Sequence, residues 1–218
     1  MIDKALRARI EEFDKRNKTR LSPNFILREL LYSTEASLLG MSNEPEDWER
    51  VVRSGKALCE SILEPLTTQF GKLFITFGFQ SRQVVEATSP QKSPTSSCPH
   101  QWDRLGHGKE IYCRVDILPA AVEDGLVTKK EYGSWIMHHL DADLLMQWSH
   151  SNVFCITYRE TNARRVWLEW CPKGQGDGGG NSKTFMGEHY WQSEWPNLPT
   201  EQRPRFGPSA TNGRMWRS

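Results

Sequence analysis

The chain lacks any run of about 18 apolar residues, so no segment reads as a membrane-spanning helix. Charge imbalance is also missing. With 28 Lys and Arg against 27 Asp and Glu, the formal net charge of +1 excludes a global field that would gather nucleic acid or an anionic membrane. Cysteines are few, odd in number and irregularly spaced (Cys59, Cys98, Cys113, Cys155 and Cys171), which argues for reduced thiols and against a disulfide framework. There is no Cys-x-x-Cys pair, no His-Glu-x-x-His, no heptad pattern and no internal repeat. Met1-Ile2-Asp3-Lys4 runs into charged sequence without an apolar core, so a cytoplasmic protein is expected. The 218 residues suffice for one domain and a tail.

Helical periodicity dominates the first third. Leu6, Ile10 and Phe13 form the apolar side of a peripheral helix within residues 1–20. Ser22-Pro23-Asn24 reads as a helix start ahead of Phe25, Leu27, Leu30 and Leu31. Acidic Glu44, Glu46 and Asp47 open a longer helix whose stripe is Val51, Leu58, Ile62, Leu66 and Phe70, with Gly71 as its stop. Leu73 to Phe77 follows as a buried strand. Periodicity then vanishes from Ser81 to Gly108, a length typical of functional or disordered loops. Ile111 to Leu118 is a second strand, and Thr128-Lys129-Lys130-Glu131 is a capping box for another helix. Val153 to Tyr158 and Arg165 to Trp170 flank Thr161 to Arg164 and suggest a β-hairpin. The sum is α+β, N-terminal helices packed on a small, mainly antiparallel sheet, in one domain spanning 1–171. A Gly-, Pro- and Trp-rich tail occupies 172–218.

The candidate chemistry gathers around the long loop. Cys98, His100, Asp103, His107, Cys113 and Asp116 carry the thiol, imidazole and carboxylate donors that zinc takes, although solvated loop histidines have the same sequence appearance. His138 and His139 are adjacent on one helix and point about 100° apart, so a structural role is favoured for them. On the last strand, alternation puts Arg165, Trp167 and Glu169 on one face, where Glu169 is a ligand, a base or an ion-pair partner of Arg165. Nine tryptophans suit either core packing or an aromatic-walled cleft. The arginines beside aromatics in the tail are too sparse to favour nucleic acid as the partner.

One ordered series of motifs resembles a known family. It runs from Leu21-Ser22-Pro23-Asn24-Phe25 and Arg28-Glu29-Leu30 through Asn43, Pro45, Leu63-Glu64-Pro65-Leu66 and Phe70-Gly71. It continues with Ser97, His100 and Asp116, then Trp135-Ile136, Asp143-Leu144-Leu145 and Trp167-Leu168-Glu169. This series is similar to the D-alanyl-D-alanine carboxypeptidases, zinc peptidases that share a fold with hedgehog signalling domains and are frequent in bacteria and phage lytic proteins. The resemblance implies zinc held by His100 or His107, by Asp116 and, at the position of the family's last histidine, by Glu169. Asp103, by its place in the loop, is the nearest candidate base and Glu169 the other catalytic candidate, while Gln80, Arg82, Trp102 and Trp167 are the candidate substrate contacts. Gln80 stands where the family has a substrate-holding arginine, and Val166 where it has its catalytic acid. The implied substrate is a peptide amide of a cell-wall fragment, in a bacterial host cytoplasm if the chain is phage-encoded. The alternatives are a binding or structural phage protein without turnover, and an enzyme redirected to a nucleotide or another non-peptide substrate.

Overall fold

The computed structural model describes residues 4–88, 98, 100–103, 111–148, 151–160, 166–170 and 183–186. Helix α1 (Lys4–Asn17) is the expected N-terminal helix. Ser22 to Asn24, expected to start a helix, instead form a tight turn, because the amides of Leu21 and Ser22 both donate to the Phe25 carbonyl. Helix α2 (Leu27–Leu31) begins after it, with the Glu29 carboxylate accepting from the Ile26 amide at 2.8 Å. Helix α3 (Thr34–Leu38) is capped by Ser33, and α4 (Trp48–Leu58) by Asp47.

A π-helical turn, Cys59–Leu63, joins α4 to α5 (Glu64–Phe70). Pro65 has no amide to give the Ser61 carbonyl, and a widened turn absorbs the missing bond without ending the helix. The apolar stripe survives this interruption: Val51, Leu58, Ile62 and Leu66 are fully buried. Gly71 ends the run at φ 79°, a left-handed conformation that suits glycine.

Six strands form one sheet: β1 (Leu73–Phe77), β2 (Tyr112–Pro119), β3 (Ala142–Trp148), β4 (Phe154–Arg159), β5 (Val166–Trp170) and β6 (Lys183–Met186). Their order is β1-β2-β4-β3-β5-β6, antiparallel throughout except for β3 with β5. The fold is therefore α+β. The β4 to β5 hairpin read from the sequence does not form, because β4 is already paired on one edge with β2 and on the other with β3. The next strand can add only beyond β3, where it lies parallel. β6 comes from the segment read as tail and extends the sheet beside β5. Within the stretch read as an irregular loop, Arg82–Thr88 is helical (α6). Helices α7 (Ala120–Glu123) and α8 (Lys129–His139) complete the fold, α8 with the expected Thr128 and Glu131 capping box. No described helix is long and apolar enough to cross a membrane.

Strand β2 shows how the sheet divides its faces. Cys113, Val115 and Ile117 are fully buried, and with Phe154 and Ile156 they pack against the helices. Tyr112, Arg114 and Asp116 alternate onto the other face. His138 belongs to the helical layer: it is 3% exposed, its Nδ1 donates to the Ser134 carbonyl at 2.6 Å, and burial pushes its pKa down to about 4. It is a neutral packing residue.

Candidate functional site

The site lies where β1 and β2 meet the ordered piece of the long loop. A β-bulge at Thr76 places Phe77 opposite Asp116, and the Thr76 hydroxyl donates to the Asp116 carbonyl at 3.1 Å. Loop residues 98 and 100–103 are held from several directions. The Gln80 amide donates to the His100 carbonyl at 2.9 Å, and the Arg50 guanidinium to the Trp102 carbonyl at 3.2 Å. The Trp102 indole donates to the Arg114 carbonyl at 3.1 Å, and the Glu46 amide to the Asp103 carboxylate at 2.9 Å. These bonds set His100 over the sheet, its ring edge-on to Phe77 with centroids 4.5 Å apart.

His100 and Asp116 are the sequence-predicted pair that the fold brings together. His100 Nε2 lies 3.8 Å from Asp116 Oδ1, an ion pair only when the imidazole is protonated. The other ring nitrogen, Nδ1, is 2.7 Å from the Gly78 carbonyl. A carbonyl can only accept, so Nδ1 carries a proton, and Nε2 is the ring nitrogen turned toward the carboxylate. That is the arrangement of a metal-ligating histidine, oriented by a backbone carbonyl behind it. Asp116 Oδ1 is buried and makes no hydrogen bond among the described residues. Burial raises the Asp116 pKa to about 6, against the lowering effects of a hydrogen bond from Cys155 and the charge of Arg114. Glu35 adds a second negative charge near it.

An orphaned, desolvated carboxylate oxygen facing an oriented imidazole nitrogen fits a divalent zinc-type cation. These two donors alone do not complete a shell. Among the described residues, no group of three or more His, Cys, Asp or Glu side chains stands arranged to hold a metal ion. His107, the other predicted first ligand, lies outside the described residues.

The remaining predicted site residues are dispersed. Trp102 is 1% exposed and packs edgewise on Phe79, so it is core and cannot wall a substrate cleft. The Asp103 carboxylate holds the loop before α4; burial raises its pKa while the Glu46 and Asp47 amides counteract this. Among the described residues its hydrogen bonds serve this loop. Gln80 is buried and acts through its backbone amide on His100. Arg82 is half-exposed, pairs with Glu86 at 2.6 Å, and lines a polar pocket of about 160 Å³ with Ser42, Glu44, Glu46, Ser81 and Gln83.

Register separates Trp167 and Glu169 from Asp116. The row through Asp116 runs to Cys155, Met146 and Leu168. Glu169 stands in the next row, with Gln147, Phe154 and Ile117, and Trp167 in the row of Leu145, Ile156 and Val115. All six of those described neighbours are buried on the helix-covered face. Glu169, expected as a ligand and catalytic residue, therefore stands in a different row of the sheet from Asp116.

Asn43 ties the site to the helices. Its amide donates to the carbonyls of Leu31 and Phe79 at 2.8 and 2.9 Å, and its oxygen accepts from the Ser81 amide at 2.7 Å. Removing that side chain strands three backbone groups. Asn43→Ala is expected to cost about 2–3 kcal/mol in urea unfolding; a change below about 0.5 kcal/mol would contradict this bracing role.

No family model matches the chain, and neither a curated protein nor a solved structure does.

Proposed function

We propose that this chain is a metal-dependent amide hydrolase, a divergent member of the hedgehog-like zinc-peptidase fold acting on short peptides of the bacterial cell-wall type. The observation that carries the reading is the His100 and Asp116 pair, with Nε2 3.8 Å from a buried oxygen that makes no hydrogen bond among the described residues. The motif series from Leu21 to Trp170 supports the same assignment. When bound, zinc supplies a Lewis acid and an acidified water.

The chain's own residues do the positioning. Gly78 fixes the imidazole tautomer, and the Gln80 amide holds the His100 backbone. Phe77 closes one side of the imidazole. Arg82, on the polar pocket that begins one residue after Gln80, offers a cation to a substrate carboxylate.

A second reading, a peptide-binding protein without turnover, is favoured by Val166 at the family's acid position and by the register of Glu169. Incubation of the zinc-loaded full chain with stem peptides ending in D-alanyl-D-alanine distinguishes the two. Release of the terminal amino acid, lost in Asp116→Ala, is the expected result. Saturable peptide binding with no released product would establish the second reading.

A further inference from the structure

Helix α8 packs on the helix-covered side of the sheet, its Tyr132 ring centroid 4.9 Å from that of Phe154, so it stands across the sheet from Asp116. Between α8 and the end of α5 lies a pocket of about 150 Å³, walled by Phe70, Leu126, Val127 and Trp135 and carrying the polar groups of Glu131 and Ser134. These two are three residues apart on α8 and therefore share a face. Ser134 is 3% exposed, and its Oγ is buried with no hydrogen bond. An unmatched buried hydroxyl is destabilising, so the pocket holds a polar group that the fold itself does not use.

Glu131 brings charge to the pocket. Hydrogen bonds from the Thr128 hydroxyl and amide hold its pKa below the ordinary carboxylate value. Both bonds go to Oε2, at 2.7 and 2.8 Å, so Oε1 makes none among the described residues. No Lys or Arg lines the pocket among the described residues. His138 and His139 are on its wall, each giving Nδ1 to a carbonyl, of Ser134 at 2.6 Å and of Trp135 at 3.0 Å, and burial keeps His138 neutral. The helical run from Trp48 to Phe70 also ends here, and the carbonyls of a helix's last turn carry partial negative charge.

We infer that this pocket binds a small organic ammonium ion, with its charged head at Glu131 and Ser134 and its apolar body against Phe70 and Trp135. An ammonium head has three N–H donors and no acceptor. Glu131 Oε1, the Ser134 hydroxyl and the carbonyl end of α5 are acceptors for it, and the charge-assisted bond to the carboxylate is the strongest of these. The apolar walls take the body out of water. An anion would meet a carboxylate and a helix C-terminus, and a neutral ligand of the same shape forgoes the attraction of Glu131. None of these residues belongs to the proposed metal site, so the inference stands apart from that reading.

The test titrates the full chain with benzylammonium at pH 8, above the ordinary range of imidazoles, and follows the heat. One saturable site per chain with a Kd below about 1 mM is expected. Benzyl alcohol, of similar shape without the charge, should bind at least about tenfold more weakly. Glu131→Gln keeps the capping box, which glutamine also completes, and should weaken benzylammonium at least about tenfold while leaving benzyl alcohol unchanged. Glu49→Gln removes an equal charge about 30 Å back along the helical run and should bind like the parent. Ser134→Ala should bind benzylammonium at least about threefold more weakly with no loss in urea midpoint, because the hydroxyl has no partner in the fold. Equal binding of the alcohol and the ammonium, or parent-like binding by Glu131→Gln, overturns the ammonium assignment. No binding at about 10 mM overturns the site itself.

Discussion

Replacing Asp116 by Asn is expected to make the metal-free protein more stable at pH 7 by about 2–3 kcal/mol while abolishing metal binding. Asp116 has a pKa raised from 3.8 to about 6, chiefly by burial, and its side chain is 21% exposed. A carboxyl whose folded pKa lies above its unfolded value favours folding when protonated. That contribution is complete below about pH 4 and is lost as the pH rises through 6. At neutral pH the fold carries a desolvated charge that the Asn variant lacks, and a shift of this size corresponds to about 3 kcal/mol. The stability gap between variant and parent should therefore close between pH 6 and pH 4. Denaturant unfolding at pH 7 and pH 4 measures it, and a parent as stable as the variant at pH 7 would contradict the electrostatic account. A site residue that weakens the empty fold and strengthens it when an ion neutralises the charge is what a ligand, as opposed to a structural carboxylate, predicts.

Gly78→Ala is expected to destabilise the protein by about 3 kcal/mol or more, in the upper range of overpacking effects. A Cβ at Gly78 would lie 2.2 Å from the Leu30 carbonyl oxygen and 3.0 Å from the Leu30 Cα. The obstacle is backbone, and it is fixed: the Phe79 amide donates to that same carbonyl at 2.7 Å. Relief requires moving the end of α2 away from the segment after β1, which also displaces the carbonyl that orients His100. The urea midpoint should fall with an unchanged slope. The refolded variant should bind zinc more weakly than the parent. An unaltered midpoint would mean that the approach of α2 to Gly78 is not tight in solution.

What was legible in the sequence follows from local rules. The stripe from Val51 to Leu66 declared itself through helical spacing, Thr128 and Glu131 through reciprocal capping, and β2 through its alternation up to Pro119. The misreadings involve partners distant in the chain. Nothing within Val153 to Trp170 reveals that both edges of β4 are taken, which is why a hairpin reading fails and β5 runs parallel to β3. Trp102 has the composition of a cleft aromatic, but its burial depends on Phe79 and on the Arg114 carbonyl it bonds. Glu169 lies one position away from the Asp116 row, a register set by pairing with β3 that its own neighbours in the chain do not reveal.

His100 and Asp116 were named from sequence because histidine and aspartate in a loop and a strand match a ligand set.

The account turns on whether the His100 and Asp116 pair holds a metal. Elemental analysis of the full chain, expressed with zinc and freed of loosely bound ions, measures this for the parent and for Asp116→Asn. About one zinc per chain in the parent and none in the folded variant is the expected result. No zinc in the parent, or equal zinc in both proteins, would contradict it.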